Sequence, residues 1–139
     1  MRVQKVGSYY QLRLERGEEV MATLLDFVRK RRIRSGLVLG LGAAEELVLG
    51  CYDLKHKKYL KRRFRAEHEI AALVGNIAWD ETEPICHIHA VIGNRQFATY
   101  SGHLFEARVA ATCEVSILPG QKRLSRSLDP STGLRFLRL

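Results

Sequence analysis

The sequence contains no long hydrophobic run. No apolar stretch in its 139 residues approaches the roughly 20 residues that a membrane-spanning helix needs. Its first residues, MRVQKVGSYYQLRL, lack the apolar segment of a secretory signal, so a cytoplasmic location is expected. Internal repeats and low-complexity linkers are also absent. A composition of 46% hydrophobic and 27% charged residues predicts a folded globular protein that buries a core of its own.

Cysteine is scarce, and the three cysteines form no Cys-x-x-Cys pair. Cys51, Cys86 and Cys113 each lie in an apolar, strand-like run. The simplest interpretation is that all three are buried free thiols in a reducing compartment.

Several well-known catalytic and nucleotide-binding motifs are missing as well. The sequence has no Gly-x-Ser-x-Gly, no phosphate-binding P-loop and no dinucleotide-binding Gly-x-Gly-x-x-Gly. The glycines of GLVLGLGAAEE have the wrong spacing for such a loop, and they favour close packing of a strand instead.

Acidic residues are outnumbered, with 15 Asp and Glu against 23 Lys and Arg, which gives a net charge of +8. The basic residues cluster, and such clusters suit a polyanion such as nucleic acid. Solvated faces and strand edges are the alternative, because edge lysines also discourage aggregation. The predicted nucleic-acid contacts are Arg29, Lys30, Arg31, Arg32, Lys57, Lys58, Lys61, Arg62 and Arg63.

One helix and a series of strands follow from the hydrophobic pattern. Val20, Leu24 and Val28 recur at helical spacing, and this predicts a helix from about 18 to 32 with a basic last turn. Alternating and short apolar runs in the rest of the sequence predict strands at 8–15, 35–43, 45–53, 57–65, 69–79 and 84–93. Residues 97–119 are predicted to form one strand or two. We therefore predict an α+β fold, a mostly antiparallel β-sheet with one main helix packed on it.

The composition changes after Pro119-Gly120, where Lys, Arg, Ser, Asp and Pro dominate. This predicts a domain over residues 1–119 followed by a basic extension, residues 120–139, that is loosely held. The last residues, GLRFLRL, could dock as an edge strand on this chain or on a neighbour.

Three histidines form the main candidate site. His87 and His89 are two residues apart in a predicted strand, so both side chains point to the same face. Their Cα atoms are expected about 6.6 Å apart, which is twice the rise per residue of a strand. His103 would join them if the next strand pairs antiparallel with the first. Three neutral imidazoles suit Zn²⁺ and leave an open position for water or substrate. Hydrogen-bonded core or interface histidines are the alternative.

The order of these segments resembles the plants-and-prokaryotes-conserved (PPC) domain family, predicted DNA-binding proteins related to the plant AT-hook nuclear proteins. The resemblance runs from about Tyr9 to Ile117. The motifs that carry it are Arg13-Leu14-x-x-Gly17-Glu18, Gly40-x-Gly42-Ala43, Glu69-Ile70-x-x-Leu73-x-Gly75, His87-x-His89-Ala90, Gly102-His103-Leu104 and Glu114-Val115.

The resemblance implies a compact domain that assembles as a homotrimer. It also implies that His87, His89 and His103 lie together, near a subunit boundary, and bind zinc. The plant relatives insert an Arg-Gly-Arg core into the DNA minor groove, and this sequence has no Arg-Gly-Arg.

Three functions are compatible with the sequence. The first is a trimeric DNA-binding or DNA-associated regulatory protein without an AT-hook, which would contact mainly phosphates. The alternative is a zinc-binding protein or a metal-dependent enzyme that acts on a small molecule through the three histidines. The third is an assembly module whose histidines only form hydrogen bonds at the trimer interface.

Overall fold

The computed structural model describes residues 1–139 and consists of nine strands and one helix. The strands are β1 (Arg2–Val6), β2 (Tyr9–Glu15), β3 (Gly36–Asp53), β4 (Lys58–Phe64), β5 (His68–Asp80), β6 (Glu83–Gly93), β7 (Thr99–Pro119), β8 (Ser125–Leu128) and β9 (Arg135–Arg138). The helix is α1 (Val20–Arg31). With 12 residues, it is too short to cross a membrane. The predicted α+β class is confirmed.

All strands belong to one sheet, and every pairing is antiparallel except a single parallel bridge between β5 and β8. The main path through the sheet is β1-β2-β7-β3-β5-β8-β9, and β4 pairs with β3. β6 pairs with both β5 and β7, so β3, β5, β6 and β7 close a ring of paired strands. This ring brings β6 and β7, which carry the histidines, side by side.

The helix begins and ends with side-chain and backbone caps. The Glu19 carboxylate accepts hydrogen bonds from the Ala22 and Ala107 backbone N–H groups, and thereby caps the helix and ties it to β7. Arg32 ends the helix in the left-handed conformation. Val20, Leu24, Phe27 and Val28 form the buried stripe of the helix.

The two faces of the sheet differ in what covers them. Val38 of β3 and Ile88 of β6 are fully buried in the same core cluster as the helix stripe. Because side chains alternate along a strand, the neighbours of these residues point to the opposite face. On that face Leu37, Leu39 and Val74 each remain more than half exposed, so the helix covers only one side of the sheet.

Two strands are longer than the sequence predicted. The predicted strands 35–43 and 45–53 form one continuous β3, and the region predicted as one strand or two forms the single strand β7. Bulges let β3 continue through Gly40–Gly42 and Glu45–Val48, since an extra residue bends a strand without ending its pairing. β1 was not predicted, because all five of its residues are exposed and give no alternating pattern.

Residues 120–139 fold back onto the sheet as the β8–β9 hairpin. Hydrogen bonds from Ser131 and Thr132 organise its turn and lower the pKa of the Asp129 carboxyl to about 2. The Tyr52 hydroxyl donates to the Thr132 carbonyl at 2.7 Å, and Lys57 Nζ donates to the Pro130 carbonyl at 2.9 Å. These contacts fix the hairpin against the β3–β4 end of the sheet.

The three cysteines do not share one environment. Cys86 and Cys113 are buried, as predicted, but Cys51 is exposed. The prediction for Cys51 was wrong because an apolar run places alternate side chains on both faces of a strand, and here one face is open.

We expect iodoacetamide at pH 8 to modify only Cys51 in the folded protein. Burial raises the pKa of the Cys86 thiol to about 12 and that of Cys113 to about 11, so neither is a thiolate at this pH. Mass spectrometry of tryptic peptides checks the result, with protein unfolded in guanidinium as the control in which all three react. Rapid modification of Cys86 in the folded protein would contradict the burial described here.

Candidate metal centre

Three histidines from β6 and β7 meet on the open face of the sheet. His89 of β6 lies directly opposite His103 of β7 in the antiparallel pairing, and His87 is two residues away on the same strand. The ring centroids are 5.1–5.6 Å apart. One nitrogen of each ring lies within 4.8 Å of the other two, a spacing that small side-chain rotations can close around one ion.

The surroundings of the three histidines differ from one side of the cluster to the other. The rings lie on the face opposite the core, and His89 is exposed. The ring of His103 packs against Phe105 and Tyr59, with centroids 4.7 Å and 5.1 Å away. One side of the cluster is therefore an aromatic wall and the other is open.

Burial favours the uncharged form of two of the rings. Desolvation, with the nearby positive groups, lowers the pKa of His103 to about 4, and desolvation also lowers the pKa of His87. His103 is thus neutral at physiological pH and keeps a free lone pair. Its Nδ1 is buried and has no hydrogen-bond partner. An unpartnered buried nitrogen, together with three imidazoles that each bring a nitrogen within 4.8 Å of the others, fits a metal of the zinc type.

Arg126 of β8 reaches into this cluster. Its Nη2 donates to the Asn76 Oδ1 at 2.7 Å and lies 3.1 Å from the Nδ1 of His87, while its Nη1 donates to the Arg135 carbonyl at 2.8 Å. Its Nε is buried and has no partner. Desolvation lowers the pKa of the Arg126 guanidinium. All of its acceptors are neutral.

A cavity of about 650 Å³ lies between the histidines and the C-terminal hairpin. The sheet contributes the three histidines and Tyr59, and the hairpin contributes Arg126 and a set of apolar side chains. Those apolar side chains are Leu128, Leu134 and Phe136. The hairpin therefore converts an open metal-ligand cluster into one wall of a ligand-sized cavity.

A glycine on β5 makes room for this arrangement. A Cβ at Gly75 would collide with the carbonyl oxygen of His87 on the neighbouring strand. Only a residue without a side chain lets β5 approach β6 this closely. This explains why the sequence motif has glycine, and no larger residue, at Gly75.

The residues predicted to contact nucleic acid lie on two elements. Arg29, Lys30 and Arg63 form ion pairs with Glu83, Asp26 and Glu106, respectively. The other six predicted contacts form no ion pair with a carboxylate. These are Arg31 and Arg32 at the end of α1 and Lys57, Lys58, Lys61 and Arg62 on or before β4.

A family model supplies the identification. The model described as the Plants and Prokaryotes Conserved (PCC) domain matches residues 1–120. The chain belongs to this family. The match includes all three histidines and ends where the C-terminal hairpin begins, so Arg126 lies outside the part of the PCC domain that the model covers. The search of curated proteins found no match.

Solved structures of similar proteins share the whole PCC fold and extend over the hairpin. A predicted DNA-binding protein from Bacteroides thetaiotaomicron VPI-5482 has a TM-score of 0.96 at 29% identity, covering 99% of this chain and 96% of its own. A metal-containing protein from Archaeoglobus fulgidus has a TM-score of 0.89 at 33% identity, covering 97% and 96%. A predicted DNA-binding protein from Ralstonia eutropha JMP134 has a TM-score of 0.92 at 30% identity, covering 99% and 95%.

Sequence reasoning missed the residues around the histidines. Asn76 and Tyr59 gave no signal beyond ordinary strand positions, and Arg126 belongs to a segment predicted to be loosely held. The alternating Arg126-Ser127-Leu128 was the one available hint of a strand there. Pairing of β8 with β5, which brings Arg126 to His87, is a tertiary contact that no local pattern encodes.

Proposed function

We propose that this protein is a metal-binding member of the PCC family and that His87, His89 and His103 hold a divalent cation of the zinc type. The observation that carries the proposal is the convergence of one nitrogen from each of the three rings within 4.8 Å. The buried Nδ1 of His103, which has no hydrogen-bond partner, is a separate observation that supports it. The Archaeoglobus fulgidus relative is a metal-containing protein, which supports the same conclusion.

Three neutral imidazoles are the protein ligands of many catalytic zinc sites, where a fourth position stays open. A zinc ion bound there acts as a Lewis acid and lowers the pKa of its bound water. The cavity next to the histidines has room for a small molecule at that open position. A metal-dependent activity on a small molecule is therefore the chemistry that this arrangement favours over a purely structural ion.

Metal analysis of the purified protein tests the proposal. We expect about one equivalent of zinc or a similar divalent metal per chain, and restoration of that stoichiometry when a chelator-treated sample is titrated with zinc. Less than about 0.1 equivalent after reconstitution, with the protein still folded by circular dichroism, would overturn it.

Homotrimeric assembly is the second part of the proposal. Five large apolar side chains on the face opposite the helix, from β3, β5 and β7, are between 44% and 57% exposed: Leu37, Leu39, Leu41, Val74 and Leu118. Register pairing puts Leu37 beside Leu118 and Leu39 beside Val74, so the exposed side chains form one patch. Patches of this kind mark protein interfaces, and we assign this apolar patch to contact with other copies of the chain.

The apolar patch continues into the histidine cluster. Val74 is paired with His89, and Asn76 is paired with His87, in the β5–β6 ladder. If copies of the chain associate through the patch, the metal centre lies near the boundary between them. This agrees with the location that the family resemblance implied.

A second candidate function is DNA binding through basic surface residues. It is supported by the relatives from Bacteroides thetaiotaomicron and Ralstonia eutropha, which are predicted DNA-binding proteins, and by the net charge of +8. Lys58 and Arg62 are exposed, lie on the same face of β4 and have no carboxylate partner, so they are free to contact phosphates.

We expect duplex DNA to bind at about 50 mM salt and to be released steeply toward 200 mM, because phosphate contacts displace counterions. Lys58→Glu combined with Arg62→Glu should weaken binding about tenfold or more in a mobility-shift titration. Lys5→Glu combined with Arg16→Glu is the matched control, since it changes the net charge equally at other exposed positions. Equal losses in both double variants would reject β4 as the contact surface, and no binding by the wild type at about 50 mM salt would reject DNA binding itself.

A further inference from the structure

A guanidinium without an anionic partner lies inside the cavity beside the histidines. Arg126 is held by three neutral acceptors, and no carboxylate forms an ion pair with it. Its Nε is buried and makes no hydrogen bond at all. Taking a charge partly out of water without a counter-ion is costly, and buried charges in proteins are normally paired.

The second arginine in the cavity behaves differently. Arg135 lines the same cavity, but its Nη1 lies 2.6 Å from the Asp80 carboxylate, so its charge is neutralised within the protein. The cavity thus carries one uncompensated guanidinium, with Tyr59 nearby and Leu134 and Phe136 on the hairpin side. One fixed positive group beside apolar walls matches a ligand with one carboxylate and an apolar body.

We propose that the cavity binds a small organic carboxylate whose anionic group is held by Arg126, next to the metal centre. The carboxylate site follows from Arg126 and the cavity alone. Its link to metal chemistry rests on the proposed function, since an anion held by Arg126 beside the histidines would reduce the repulsion between the guanidinium and a metal ion.

The contact between Arg126 and His87 couples the two sites. The Nδ1 of His87 lies 3.1 Å from the Arg126 Nη2, and a guanidinium can only donate, so this Nδ1 is the acceptor. A neutral imidazole that accepts at Nδ1 carries its proton on Nε2 and therefore has no lone pair left for a metal. Metal binding by His87 requires Arg126 to release it, and a released Arg126 is free to form a two-bond contact with a carboxylate.

Arg126→Ala should therefore change the two affinities in opposite directions. We expect zinc to bind severalfold or more tightly, because a competing donor and a positive charge are removed. Benzoate should bind about tenfold or more weakly, because it loses a charge-assisted contact. Calorimetric titrations of chelator-treated protein with zinc and with benzoate measure both affinities, and benzamide, the neutral analogue, should bind as weakly to the wild type as benzoate binds to the variant.

Arg135→Ala is the matched control, since it removes another hairpin arginine from the cavity wall but leaves Arg126 in place. If Arg135→Ala reproduces both changes, loosening of the hairpin explains them and the assignment to Arg126 is wrong. Should Arg126→Ala fail to fold, Arg126→Lys serves instead, since its ammonium keeps the charge but cannot form the two-bond contact, and benzoate should still bind severalfold more weakly.

The arms of the experiment separate the two proposals. Benzoate binding to metal-free wild type that depends on Arg126, without any zinc binding, would support the carboxylate site and reject the metal centre. Zinc binding with equal affinities for benzoate and benzamide, or equal benzoate affinities in wild type and Arg126→Ala, would reject the carboxylate site alone. Protection of Cys51 from iodoacetamide by benzoate provides a second readout, because Cys51 is exposed and lines the cavity.

Discussion

Replacing His89 by alanine is expected to abolish stable zinc binding while leaving the fold intact. His89 is the exposed member of the three histidines, so its removal creates no cavity in the core. It removes one of only three protein ligands. Loss of outer-shell partners alone typically weakens metal binding 10- to 100-fold, so loss of a direct ligand should weaken it by more than about 100-fold. Titration of chelator-treated protein with zinc in the presence of a competing indicator measures the change.

His56→Ala is the control for this experiment. His56 lies on the turn after β3, where its ring contacts Asp53 at 2.7 Å and lies outside the three-histidine cluster. The control should therefore bind zinc as the wild type does. Thermal unfolding of the metal-free His89→Ala protein should match that of the metal-free wild type. Wild-type zinc affinity in His89→Ala would mean that the ion, if bound, is held elsewhere.

Replacing Leu39 by lysine is expected to convert the proposed trimer into a monomer. Leu39 lies near the middle of the apolar patch, beside Val74 on β5, and is 56% exposed in the single chain. A lysine there is well solvated in the monomer but is buried without a partner at an interface between copies. Each copy adds one such charge, and an unpaired buried charge costs several kcal/mol. Sedimentation equilibrium at about 10–100 µM protein measures the mass.

Leu54→Lys is the matched control, because Leu54 is 62% exposed but lies in the turn after β3, away from the patch. It should leave the mass of the assembly unchanged. A monomeric wild type would reject homotrimeric assembly through this face. A trimer that survives in Leu39→Lys would place the contact on another surface.

The two predictions are physically linked through β5 and β6. Val74 and His89 are register partners, so the apolar patch and the metal centre share neighbouring positions on one face of the sheet. Assembly through the patch would bury part of the cluster and reduce the exposure of His89. Zinc affinity measured on Leu39→Lys would therefore show how much of the binding depends on neighbouring chains.

Local patterns in the sequence predicted most of the secondary structure. The helix stripe of Val20, Leu24 and Val28 and the short apolar runs after it identified the helix and five of the strands, because burial on one face imposes a fixed period. Local patterns did not predict β1, because all of its residues are exposed. They also divided β3 into two strands, because strand pairing continues through its bulges, where the hydrophobic pattern is interrupted. They also failed at Cys51, since an alternating run does not show which face is covered.

The sequence by itself determined that His87 and His89 share a face, because this follows from the two-residue period of any strand. It also determined the basic charge and the family motifs, which are properties of composition and order. Only the tertiary structure decided that His103 lies opposite His89, that the histidines lie on the face away from the helix, and that Arg126 reaches the Nδ1 of His87. The physical reason is that strand pairing between distant segments places these groups, and the energy that selects one pairing comes from the whole core rather than from any local stretch.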